Sequence, residues 1–463
     1  VAGKTPFLNK STALDAYQES KKWLRPYFDP IEEFDRIARN RPSPRIPTEL
    51  PKVTDGTMSA IVQETPKRIV QQVSTGKVEC KAYPEYAKIA DIVHRDELIP
   101  SARQNGSYLQ KSWVMLSKAL THGRSTSYTF YTETNGRFYT DFVIPYVKNI
   151  ITEKGKVFAP DCNFRFLEAW YQRTDLKAII STEKARQAKD KHYKSDWNLQ
   201  ALSDLIEAGA SAKPADEQTP AEVEKGGDAG GYKIIHCFQT GKNAESYSID
   251  TKGNILRTKV SKDPRGQMPF DDLYCNIDLS NPVGVGVVER SGGVQNLMDQ
   301  QLQMFSFDTV MGMAPPIKKW GNVNMATVKH LPNAVWDMGG NKASGNDVEP
   351  YTSANPFTAN FVNNFQLLQS KIYNLNNSQD TSIGAASGNA GQSKTQAGVN
   401  AQMERLGVSD NYLRKQYEDW QGAQSETALN IFFSEMTGTK DIALSKDDLR
   451  EFEGTQAVKF IKD

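Results

Sequence analysis

Residues 280–316 read SNPVGVGVVERSGGVQNLMDQQLQMFSFDTVMGMAPP, and the reading of the whole chain turns on them. A glycine-rich approach containing Gly284 and Gly286 leads into a helix expected over residues 291–313. Pro315 and Pro316 end it, because proline lacks the N–H that a helix interior needs and clashes with the preceding turn. At 1.5 Å per residue such a helix is about 35 Å long. Val294, Leu297, Met298, Leu302 and Phe305 recur at helical spacing and form an apolar stripe. Beside it lie Gln295, Asp299, Gln303 and Ser306, expected to be the wet side. Taken alone, the pattern fits a core helix with one face in water.

Upstream, the chain alternates helices and strands. Residues 11–25 have helical periodicity, with Leu14, Tyr17 and Leu24 on one side, until Pro26 interrupts. Asp29-Pro30-Ile31-Glu32 then restarts a helix, with Asp as N-cap and proline in the first turn. Pro44, Pro47 and Pro51 make residues 41–51 an extended connector. Helices are expected near 84–98 and 105–121. A hairpin follows, in which Tyr128, Phe130 and Thr132 alternate on one strand and Phe138, Thr140 and Phe142 on its return, around an Asn135-Gly136 turn. Residues 147–158 read as short strand pieces broken at Lys154-Gly155. Thr174 is the expected cap of the next helix and Ser195 of the one after, which Gly209 ends. Lys184, Arg186, Lys189, Lys191 and Lys194 are interspersed with Glu183 and Asp190, the pattern of a solvated helix face.

Residues 210–231, with two lysines against five acidic residues and little to bury, are expected to be an exposed, mobile linker. Strands follow at 232–238, 247–249 and 255–260, with a turn at Lys252-Gly253-Asn254. From 232 to 270 seven basic residues oppose three acidic ones, a net +4, and Arg257, Lys259, Lys262 and Arg265 are the basic candidates of this region. Beyond Pro316, strand pieces at 317–320 and 334–338 precede a Gly/Asn/Ser-rich stretch at 339–355. A helix over 357–376 presents Phe361, Phe365, Leu368, Ile372 and Leu375 as a seam for partner helices. A second polar stretch, 378–398, leads to a last long helix over about 401–435.

Composition narrows the function classes. At 463 residues, with 38% hydrophobic and 10% aromatic side chains, the chain has enough apolar material for a packed core. A net charge of +1 supplies no global field for gripping nucleic acid, which disfavours a sequence-reading DNA binder. Cys80, Cys162, Cys237 and Cys275 form no CxxC pair and read as reduced buried thiols; His236 and Cys237, adjacent on a strand, point to opposite faces and make a poor metal chelate. No metal and no cofactor is expected. No apolar run reaches the roughly 18–20 residues that span a bilayer. No signal peptide opens the chain, which starts at Val1 without a methionine and so leaves room for residues upstream. Gly384 to Thr395 imitates a phosphate loop, but Ser393 stands where glycine must precede the lysine, and a helix precedes the loop in place of a strand. Gly284-Val285-Gly286 lacks the third glycine and acidic partner of a dinucleotide site and reads as a hinge into the helix. His94, His122, His192, His236 and His330 are scattered, with no nucleophile or acid/base constellation, so no enzymatic activity is expected.

The order of these parts resembles the portal (head-to-tail connector) proteins of tailed bacteriophages. The resemblance covers about residues 50–435 and is most specific near 264–316 and 395–410. It implies an α+β subunit divided into an N-terminal α/β wing (1–209), a linker (210–231), a β-rich wing and clip region (232–283), a stem helix (284–316), a wing return with a tunnel loop (317–400) and a helical wing and crown region (401–463), where an end at Asp463 fits a truncated crown. In a ring of such subunits the apolar stripe would pack on neighbouring stems, and Gln295, Asp299, Gln303 and Ser306 would line the channel. Lys342 or Lys394 would mark the tunnel loop. The resemblance further implies a dodecamer of about 600 kDa at one capsid vertex, assembled in the bacterial cytoplasm. Its expected partners are the major capsid protein and scaffold, the terminase that holds the ATPase, a head-completion adaptor or tail protein, and double-stranded DNA passing without sequence specificity. The alternatives from other classes are another virion or adaptor structural protein and an enzyme with a Gly-rich nucleotide site.

Overall fold

A computed structural model describes residues 8, 10–44, 52–72, 90–94, 107–134, 137–158, 161–210, 231–263, 265–313, 317–319, 335–337, 348–350, 357–376, 396–435, 439–443 and 457–461. Helices combine with mainly antiparallel sheets, so the chain is α+β. The described helices are α1 (Ala13–Phe28), α2 (Ile31–Ala38), α3 (Thr57–Gln72), α4 (Tyr108–His122), α5 (Arg173–Lys189), α6 (Leu199–Glu207), α7 (Val287–Met313), α8 (Phe357–Leu375) and α9 (Gln396–Glu435). The chain forms two compact units, both discontinuous in sequence: unit 1 holds Val1–Glu32, Pro66–Val285 and Leu413–Asp463, and unit 2 holds Glu33–Thr65 and Gly286–Tyr412. Consecutive segments, as read along the sequence, do not describe this division, although one break falls beside residue 284.

Unit 1 is built on two sheets. One has the order β3-β4-β5-β6-β7, from β3 (Ile150–Thr152), β4 (Phe164–Tyr171), β5 (Tyr232–Gln239), β6 (Glu245–Ile249) and β7 (Ile255–Val260). The other has the order β2-β1-β8, from β1 (Arg124–Thr134), β2 (Arg137–Val143) and β8 (Phe270–Tyr274). Pairing of Thr134 with Arg137 leaves two residues between β1 and β2, as the hairpin reading requires. Asn135 and Gly136 themselves lie outside the described residues. Helix α1 covers one face of the larger sheet, where Tyr17 meets the Phe166 ring edge-on at 5.6 Å and donates to Glu168 Oε1 at 2.5 Å. Lys21 and Lys233 also reach Glu168, and against the burial that would raise its pKa they hold it below the usual carboxylate value. The opposite face meets α5 and α6 at one end and the smaller sheet at the other.

Between the two sheets the guanidinium of Arg165 grips Asp272 with Nη2–Oδ2 at 2.5 Å and Nη1–Oδ1 at 3.3 Å, and Thr126 donates to the same carboxylate. Both charged side chains are buried, Arg165 completely. Burial would raise the Asp272 pKa, but Arg165 and Arg124 bring it below its ordinary value. Where α4 ends, two backbones cross. A Cβ on Gly123, whose φ is +92°, would stand 2.6 Å from the Gly284 carbonyl, and Gly284 itself has φ +72°. The expected hinge at Gly284 is thus a locked crossing, with Cys275 N–H donating to Gly123 O and Val285 N–H to Asn276 O.

Several local expectations change. Pro26 sits inside α1 and does not end it. The cap of α5 is Gln172, in a reciprocal pair with Asp175, and not Thr174. Asn198 caps α6; Ser195 instead donates to the buried Glu183. The basic residues 184–194 are exposed, as a solvated face should be. Residues 348–350, inside the stretch read as Gly/Asn/Ser-rich loop, form β11 (Val348–Pro350), antiparallel to β9 (Ile317–Lys319), while β10 (Val335–Asp337) runs parallel to β9. After α9 the C-terminal region is not helical throughout: β12 (Thr439–Ala443) pairs with β13 (Ala457–Ile461), in keeping with the apolar alternation of Val458 and Phe460. Most of linker 210–231 lies outside the described residues.

Candidate functional site

Helix α7 is the central element of the sequence reading, and its polar side is buried where the sequence predicts a wet face. Gln295, Asp299 and Gln303 are buried, with at most 7% of their surface exposed, and Ser306 is half-buried. They are not a wet face. The physical reason lies in residues 52–58, which lead into and begin α3 and whose backbone groups, unpaired in any described sheet, take side-chain partners from α7. Asp299 Oδ1 accepts the Asp55 N–H at 2.9 Å. Gln295 accepts the Met58 N–H at 3.3 Å and donates to the Asp55 carbonyl at 2.9 Å, and Gln303 donates to the Val53 carbonyl at 3.2 Å. Burial raises the pKa of Asp299 against the opposing hydrogen bonds from Asp55 N–H and Gln295.

The apolar stripe divides. Met298 is fully buried, whereas Leu297 is 44% exposed; Met304, outside the stripe, is 58% exposed. Val294, Leu302 and Phe305 are half-buried. Phe305 stacks on Phe361 of α8 at 4.2 Å with the rings 9° from parallel, so the α8 seam engages α7 of its own unit. Asn376 ties the end of α8 to Ser291 Oγ at 2.7 Å. The solvent-facing residues at spacings of four, three and four are Gly293, Leu297, Gln300 and Met304, and none carries a charge.

The four basic candidates of unit 1 are brought near one another but are mostly engaged. Lys259 and Lys262 share Glu435 of α9 at 2.7 and 3.2 Å, and despite burial they hold its pKa below the ordinary value. Arg265 pairs with Asp263 and with Glu426 of α9. Arg257 lies over the Trp197 ring and has only a long contact, 3.6 Å, with Asp196. These residues therefore join β7 and the following loop to α9 and are not a free basic patch. The α9 partners, Glu426 and Glu435, lie about 160 to 180 positions downstream, and nothing local in the sequence announces them. The tunnel-loop candidates Lys342 and Lys394 lie outside the described residues.

Cys162, Cys237 and Cys275 are buried and form no disulfide among the described residues; Cys80 is outside them. Among the described residues, no group of three or more His, Cys, Asp or Glu could hold a metal, and no helix is long and apolar enough to cross a membrane. The chain matches no family model and no curated protein sequence.

Proposed function

We propose that this chain is a ring-forming portal subunit of a tailed bacteriophage, with α7 as the stem helix beside the DNA channel. One observation carries the reading. The 27-residue α7, introduced by glycines and followed by Pro315 and Pro316, presents to solvent an uncharged stripe of Gly293, Leu297, Gln300 and Met304, while Gln295 and Gln303 are used inside the subunit. Two large apolar side chains set one above the other on a long helix, with a glycine permitting close approach, suit packing against the same helix of another copy. Because Gln295, Asp299 and Gln303 are spent on residues 52–58, they are withdrawn as channel-lining residues, and duplex DNA would meet other groups. On this reading the ring is a dodecamer at one capsid vertex, through which the genome is packaged and ejected. It would contact capsid protein and scaffold, terminase and a head-completion adaptor or tail protein.

Mass photometry of the full chain tests this. The expected species is near 600 kDa, twelve copies of 51.7 kDa. Leu297→Asp and Met304→Asp, at positions exposed in the single subunit, should leave the melting temperature unchanged and abolish the ring, since each would bury an unpaired charge at a subunit contact, costing about 3–5 kcal/mol. A monomeric parent chain, or rings that survive both substitutions, would overturn the proposal.

A further inference from the structure

One row of side chains crosses the larger sheet of unit 1 at its middle: Leu167, His236, Ser248 and Arg257 are successive cross-strand partners on β4, β5, β6 and β7. Towards one end of the sheet, α5 and α6 pack Leu176 and Leu202 on Tyr232 and Ile234. Towards the other, Phe238 meets Tyr128 and Phe270 of the smaller sheet. Between these two covers lies a cavity of about 600 Å³, lined by members of this row together with Tyr128, Tyr171 and Phe130. That size and the aromatic walls are those of a site for a small organic molecule.

The polar groups in this cavity fix the chemistry of its ligand. The Nε–H of Arg257 is buried and has no hydrogen-bond partner among the described residues, and the 3.6 Å approach to Asp196 is beyond hydrogen-bonding range. The neighbouring charged groups are engaged with one another, Lys259 and Lys262 with Glu435 and Asp263 with Arg265. Arg257 is thus the lining cation with the loosest partner. His236 adds a donor indirectly. Its Nε2 lies 3.0 Å from Tyr171 Oη and its Nδ1 2.8 Å from Ser248 Oγ, and burial, aided by the Arg257 charge, keeps the ring neutral with a pKa pushed down to about 3. A neutral imidazole has one N–H. Tyr171, His236 and Ser248 therefore share three protons between two hydrogen bonds, and in either tautomer one hydroxyl keeps a proton to donate elsewhere.

We propose that this cavity binds a planar organic monocarboxylate, its carboxylate held by Arg257 and by the spare hydroxyl proton of the Tyr171–His236–Ser248 chain, its flat body lying against Tyr128 and Phe130. Guanidinium and carboxylate match in charge and fork geometry, and the aromatic walls suit a flat organic body. The proposal is independent of ring assembly.

Fluorine NMR of 4-fluorobenzoate with the full chain tests it. Saturable binding is expected below about 10 mM, with the neutral isostere 4-fluorobenzamide at least about tenfold weaker because it cannot pair with the guanidinium. Arg257→Met should weaken 4-fluorobenzoate by a similar factor. Asp196→Ala, at a half-exposed side chain, should tighten it by removing the competing carboxylate, and so gives a readout even if Arg257→Met folds poorly. No saturable binding, equal affinity for the amide, no response to either substitution in folded protein, or displacement by inorganic phosphate at equal concentration would overturn the proposal.

Discussion

Between β4 and β8 the interior of unit 1 holds full charges, whereas along α7 the interior of unit 2 holds amides and one carboxyl group of raised pKa. Both arrangements serve polar groups that would otherwise be buried alone, but by different means. Arg165 and Asp272 satisfy one another, so removing either leaves a charge in a dry place. Gln295 and Gln303 satisfy backbone groups of residues 52–58, so their loss leaves a neutral dipole unpaired. The difference lies in what each interior tolerates: charge pairs respond strongly to substitution and to acid, while amide contacts respond modestly and hardly to pH.

The largest effect is expected at Arg165. Arg165→Met should destabilise unit 1 by about 3–5 kcal/mol, measured by urea denaturation, and Arg165→Met combined with Asp272→Leu should recover most of that loss. Equal losses in the single and double variants would break the comparison. The folded pKa of Asp272 is depressed, so its contribution is present above the ordinary aspartate value of 3.8 and is lost as pH falls through the lower folded value. Along α7, Gln295→Ala should cost less, about 1–3 kcal/mol, by leaving the Asp55 carbonyl and the Met58 N–H without their partner. Its cost at pH 5 and at pH 8 should agree, and a pH-dependent cost would show that Asp299 carries the contact instead.

The smallest effect sharpens the contrast within unit 1. Asp271 adjoins Asp272 but lacks its arginine clamp. Thr427 donates to Oδ1 at 3.1 Å, while the buried Oδ2 has no hydrogen-bond partner among the described residues. Burial, aided by the neighbouring Asp272 charge, pushes its pKa up to about 7. A raised folded pKa means stability that is complete below 3.8 and lost as pH rises through about 7. Asp271→Asn should therefore raise stability at pH 8 by about 1 kcal/mol and leave it unchanged at pH 4, as followed by thermal melting at the two pH values. No gain at pH 8 would mean that Asp271 finds a partner when ionised.

What could be read from the sequence follows how far each determinant reaches. The hairpin of β1 and β2 was legible because strand alternation and the two residues between Thr134 and Arg137 are local. Helices α1, α4 and α7 were legible by periodicity, to within a few residues. The face of α7 that is covered was not. A period shows that Gln295, Asp299 and Gln303 share a side, but only the tertiary fold says that residues 52–58, some 240 positions earlier, lie on it. A long separation in sequence likewise hid Glu426 and Glu435 from Arg265, Lys259 and Lys262. At Gly284 the glycine was visible but its reason was not: close approach to Gly123 requires it, and a flexible joint would have left the same letters.

The contacts that α9 makes within unit 1 also set an order of events during synthesis. Trp420 donates from Nε1 to Ser127 Oγ at 3.1 Å, and Ser425 meets His94 at 2.7 Å, so side chains from the first third of the chain are completed by residues near its end. A nascent chain leaving the ribosome has made β1 and α4 long before Trp420 exists, and the site that receives the indole stays open meanwhile. Chaperone occupancy on ribosome-bound chains should therefore persist until translation passes Leu413, and chains stalled before that codon should expose the Phe142 surface against which Trp420 packs.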